Sequence, residues 1–181
     1  MEVMVNNGSL NIATQKVSKS EEVLHSWLIR QDEYDDDSFL AKVSDYSLDE
    51  WDHYTHLRIA WLVLSRFGYN EGLSLIFSMI KSFIENSPRT RSSNGPGKTF
   101  HETMTFFWIH IVYYKMMTTA RSLNEEVISF KTFLRLNPEL ADSGLFLQYY
   151  SKQLMLLDPK SRNTIQLPDI QALPSIISFQ E

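Results

Sequence analysis

Apolar residues recur every three or four positions over much of the chain, and four stretches carry that rhythm clearly enough to predict helices. The first spans about 48–67, where Trp51, Leu57, Ala60, Trp61 and Leu64 share one face. Ahead of it, Ser47-Leu48-Asp49-Glu50 matches a capping box, with Ser47 accepting from the backbone and Glu50 reaching back. Gly68 is placed to end this helix, and Asn70 to cap a second over about 70–86, with Leu73, Phe77, Ile80 and Ile84 inward. So short a turn predicts an antiparallel αα-hairpin. The third stretch, about 99–121, is apolar nearly all round and is expected to be the most buried. The fourth, about 125–136, has Asn124 as its cap and Pro138 as its stop.

The flanking signals are weaker. Ser20 caps the SEEVLHSWLIRQ segment, with acids in its first turn. Asp35-Asp36-Asp37 lacks the alternating ligands, glycine and terminal glutamate of a calcium loop, so it reads as a solvated loop or a helix start. DSGLFLQYYSKQLM suits a short fifth helix, and SRNTIQLPDIQALP an irregular segment packed on the bundle. Prolines, glycines and serines make SPRTRSSNGPGKT a loop, either a plain connector or, just before His101, a lid over 87–99. Residues 1–18 are polar and aperiodic, a loose tail. The expected fold is therefore all-α: one helical domain over 19–181, a bundle of about four to six helices with an irregular C-terminal segment.

Composition narrows the function. The chain is 43% hydrophobic and 13% aromatic, enough large side chains for a full core. With no cysteine, disulfides, thiolate metal sites and cysteine nucleophiles are excluded. The net charge is −5 and no helix shows a basic face, which argues against nucleic acid as a partner. MTFFWIHIVYYKMM is interrupted by His110 and Lys115 and falls short of the ~20 apolar residues of a membrane span. No secretory signal is visible at the N-terminus, so a cytoplasmic location without a membrane partner is the expectation. GxGxxG, the P-loop, HExxH and GxSxG are all absent.

The chemistry concentrates on histidines. His53 and His56 lie three residues apart on the first long helix, which puts their Cβ atoms roughly 5–6 Å apart on one face. His101 and Glu102 open the third helix, where backbone N–H groups favour anions. Neighbours on a helix diverge by about 100°, so one of the pair faces inward; His101 shares its face with Thr105 and Trp108 and is the better choice. Three imidazoles and a carboxylate can hold one divalent metal ion (Zn²⁺, Fe²⁺ or Mn²⁺), or act without metal as general acid and base, with His101 and Glu102 as candidate catalytic residues. Equally, the histidines can be packing residues and Glu102 a helix cap. His25 and His110 read as packing histidines.

Three spaced motifs add to this picture: HYTHLRIAWLVL, FHETMTFFW, and QYYSKQLMLLDPKSRNTIQLPDIQALP. Together they resemble an uncharacterised family of small helical proteins from bacteria and fungi, with motifs HxxHLxxA, (Y/F)HETxT, YYSxxxL and PDLxPL. The match falls on His53, His56, Leu57 and Ala60; on His101, Glu102, Thr103 and Thr105; on Tyr149, Tyr150, Ser151, Leu154 and Arg162; and on Pro168, Asp169 and Leu173. It covers about 50–174. Phe100 stands where tyrosine is usual, and Lys160-Ser161 replaces the usual small residue before Arg162. The resemblance carries no activity. It implies that His53, His56, His101, Glu102 and Arg162 belong together. Arg162, a further candidate catalytic residue, either reaches over the pocket to bind a substrate carboxylate or phosphate or forms a surface ion pair with an acid such as Asp169.

Two functions stay open on these residues. One is a protein that binds a small-molecule ligand, a metal-dependent enzyme of specialised biosynthesis among the options, with the His/Glu cluster between two helices. The other is a non-catalytic helical interaction protein whose histidines are structural.

Overall fold

The computed structural model describes residues 18–30, 34–91, 99–123 and 128–175, and among them every regular element is helical. Most of the expected tail and of the candidate lid fall outside these residues, as does Asn124. The chain begins with α1 (Lys19–Ile29). Its cap is Ser18, not Ser20, because only Ser18 has a glutamate at the third helical position: Glu21 N–H donates to Ser18 Oγ and Ser18 N–H to the Glu21 carboxylate. His25 is exposed on α1, contrary to the expectation of a packing histidine. The acidic run proves to be a helix start. Asp35 accepts from the N–H groups of Asp37 and Ser38 and opens α2 (Asp36–Ser44). Arg58 and Arg66 then pair with Asp36 and Asp37.

The central element is α3 (His53–Asn86), broken at Gly68. It starts later than the Ser47 capping box predicts. Asp52 caps it through Thr55 N–H, and the Ser47 hydroxyl is taken by Asp45. Leu48 and Trp51 thus enter the interior from the approach to the helix. A straight helix of this length would extend about 50 Å, yet Trp51 stacks on Phe83 with ring centroids 3.9 Å apart. The reversal happens at Gly68, whose φ of 68° and ψ of −172° favour glycine. The helix resumes immediately, so Asn70 lies inside the second arm and caps nothing. The two arms form the expected antiparallel hairpin, close enough that a Cβ at Gly72 would meet Leu64 at 3.1 Å.

After a single turn, α4 (Pro88–Arg91), the chain enters α5 (Glu102–Leu123). Next come α6 (Phe130–Leu136), capped by Ser129 and shorter than expected, and a 3₁₀ turn that Pro138 starts. The expected short fifth helix is instead a 3₁₀ turn (Leu145–Gln148) and one π turn (Gln153–Leu157). One further turn, α7 (Lys160–Asn163), leads into the irregular C-terminal segment. That segment is bound to α5: Thr103 Oγ donates to Thr164 O and accepts from Gln166 N–H.

Burial corrects one expectation. The first arm of α3 is the most enclosed helix, with Tyr54–Leu64 buried except for His56. Trp27 of α1, Phe39 of α2 and Phe130 of α6 pack on different sides of it, against Tyr54, Arg58 and Trp61. By contrast, α5 keeps Phe106, Trp108, Tyr113 and Tyr114 only half-buried. Arg58 is 6% exposed in this arm; its guanidinium lies over Phe39 and is matched by Asp36 and the Tyr34 carbonyl. A charge is acceptable at that depth only because it is paired.

Candidate functional site

One cavity of about 610 Å³ lies between the hairpin and α5, and His53, His56 and His101 all line it. Its apolar wall comes from both arms of α3 and from α5: Ala60, Ile76, Ile80, Ile84, Met104 and Ile109. Thr105 and Trp108 line it beside His101, as their shared helix face predicts. Trp51, Asp49, Asp52, Arg89, Thr90 and Thr99 complete the lining. Of these, Trp51 and the Asp49–Arg89 ion pair (2.9 Å) carry no motif, and periodicity alone cannot place them at a site.

The hairpin histidines are held by backbone carbonyls. His53 Nε2–H donates to Leu140 O at 2.9 Å, and His56 Nδ1–H to Asp52 O one turn earlier. Each ring is also fixed by an indole: Trp108 meets His53 at 4.3 Å, and Trp51 meets His56 at 4.5 Å, both edge to face. Those bonds set the tautomers, leaving a lone pair on His53 Nδ1 and another on His56 Nε2. Neither atom has a partner among the described residues, and neither is sealed off; the unpartnered side-chain atom fully buried there is His110 Nδ1. Both rings line the cavity.

His101 differs. Its Nε2–H donates to Met155 O at 2.7 Å, and its Nδ1 accepts from Met104 N–H at 3.2 Å. Both nitrogens are spent, so the expected third metal ligand has no lone pair to give. Glu102 is the first residue of α5 and does not line the cavity; the 100° step that turns His101 inward turns it away. Among the described residues, no group of three His, Asp or Glu side chains is placed to hold a metal ion. Arg162 is also outside the lining, but its guanidinium donates to Thr99 Oγ, which is part of it, at 2.8 Å. Asp169 is not its partner; that carboxylate accepts from Ser151 N–H.

Electrostatics keep the imidazoles neutral. Burial pulls His53 from 6.5 down to about 4, against the opposing effect of the Leu140 carbonyl. Burial also lowers His56 and His101, the latter with help from the Arg162 charge. Asp52 moves the other way for a carboxylate: burial would raise it, but Thr55 and Arg30 together hold it below the usual range.

A second hollow, about 460 Å³, runs along Phe106 and residues 166–173. Its one carboxylate, Asp169, is already engaged by Ser151, and no histidine reaches it. No helix among the described residues is long and apolar enough to cross a membrane. In comparisons with protein-family models, curated proteins and solved structures, the chain matches none of them.

Proposed function

We propose that the protein is a cytoplasmic small-molecule-binding protein whose ligand occupies the cavity between the α3 hairpin and α5. The observation that carries this reading is a pair of cavity-lining histidines, each with one ring nitrogen that has no partner among the described residues. A neutral imidazole nitrogen with no protein partner accepts a hydrogen bond from water or from a bound donor. The cavity size and mixed lining suit a small organic ligand, with apolar walls for its body and a few polar groups to orient it. That the first two motifs supply all three cavity histidines supports treating them as one functional unit, with Arg162 of the third at its rim.

The reading favours binding over proton transfer. A general base works best with a pKa near the working pH, and burial holds all three imidazoles below theirs. Hydrogen-bond acceptance needs only the neutral ring. It also favours a ligand without metal, because His101 has no nitrogen left to coordinate. Elemental analysis checks that directly: stoichiometric zinc, iron or manganese in the purified protein would restore the metal-dependent enzyme. Cavity binding is tested by screening small aromatic fragments through tryptophan fluorescence, with Trp108→Phe as control. Quenching that weakens in the variant is expected. A wild-type protein that binds no fragment, with the histidines enclosed by packed side chains, would leave them a structural role.

A further inference from the structure

We infer that the ligand is a neutral, hydroxyl-bearing apolar or aromatic molecule, bound with its O–H donating to His56 Nε2, while His53 Nδ1 offers a second acceptor on the same helix face. This rests on the cavity being a binding site and adds what it selects. Both acceptors sit on one helix face three residues apart, and their other ring nitrogens are anchored to Asp52 O and Leu140 O. Flipping either ring to present a donor would break that anchor, so the face they offer is acceptor-only. An anion would meet two lone pairs there and is disfavoured.

A cation would find acceptors but no free counter-charge. Asp49 is paired with Arg89, and Asp52 with Arg30 while it also caps α3. Burying an ammonium without an uncommitted carboxylate is costly. A neutral donor avoids both penalties. Trp51, Trp108 and the isoleucines of the second arm then take the ligand's apolar body.

The test uses three probes of one shape on the intact protein: 2-naphthol, 2-methoxynaphthalene and 2-naphthoate, each titrated calorimetrically at neutral pH. A site built around a hydroxyl rejects the analogue that cannot donate, because its own acceptors are left unpaired. 2-Naphthol is expected to bind about tenfold or more tighter than its methyl ether, the effect of one buried hydrogen bond, with naphthoate weakest. Ether or naphthoate binding as tightly as naphthol would overturn the donor assignment while leaving the cavity a binding site. Failure of all three to bind would overturn the cavity reading itself. In His56→Phe the naphthol advantage should shrink towards one as the ether still binds. An unchanged advantage there would place the hydroxyl elsewhere and overturn the inference. If that variant does not fold, the three wild-type affinities decide alone.

Discussion

The histidines of α3 and those of α5 are held by the same kind of bond and end in opposite states. Just before α5 and within it, His101 and His110 each donate Nε2–H to a carbonyl beyond residue 150, Met155 O at 2.7 Å and Pro174 O at 2.8 Å. They act as straps that fasten the π turn and the irregular C-terminal segment to α5. On α3, His53 and His56 also give one N–H to a carbonyl, but both rings line the cavity and their second nitrogen has no partner among the described residues. One bond locks a ring; the environment of the other nitrogen decides whether that ring is structural or available. The residue type is the same in the two regions, so the contrast has to be tested by substitution.

The largest effect should come from His101→Ala. Truncation strands Met104 N–H and weakens the satisfaction of Met155 O, a loss of about 2–3 kcal/mol. For a chain of this size that is several degrees of Tm, read by thermal melting. A melting temperature within a degree of wild type would erase the distinction between the two regions.

Acid should have the next-largest effect, in the same direction on both regions. A histidine whose pKa is depressed on folding takes up its proton more readily when unfolded. Its contribution to stability is therefore complete above the unfolded value, near 6.5, and is lost as pH falls from there towards about 4 for His53. His56 and His101 act in the same direction. Denaturant melts should thus show stability falling from pH 7 to pH 4.5, and His53→Gln should flatten that slope. A flat wild-type profile would show that the imidazoles are not desolvated as the packing implies.

His56→Ala should cost less than His101→Ala, about 1 kcal/mol or below. The Asp52 carbonyl keeps the helical N–H of His56, and the residue is only half-buried. Fragment binding, in contrast, should fall measurably. A destabilisation equal to that of His101→Ala, with binding intact, would move His56 into the structural class. The smallest effect belongs to Arg162→Lys. Its bond to Thr99 is exposed, so melting should be unchanged within about 0.5 kcal/mol, and affinity for a neutral probe should change little. A marked loss of affinity would bring the guanidinium into the site.

Much of this protein is legible from local pattern alone. The apolar period predicts the hairpin and α5, because burying one helical face needs only spacing that the chain carries with it. Gly68 is equally readable, since a positive φ admits few other residues. The helix starts are less so. Ser20, Ser47 and Asn124 each look like a cap, but a cap competes with its neighbours: Ser18 outranks Ser20 through Glu21, and Asp52 caps α3 while Ser47 turns to Asp45. Spacing also brings His53 and His56 to one face and selects His101 over Glu102 as the inward residue.

The sequence by itself determined that His53, His56 and His101 meet at one place. Which of their nitrogens remain free was decided only by the tertiary structure. His53 is oriented by a carbonyl 87 residues away, and His101 is used up by one 54 residues away. Both acceptors are main-chain oxygens of irregular turns, chemically identical at every position in the sequence. Only packing distinguishes them, by bringing one particular carbonyl within hydrogen-bond reach of one particular ring.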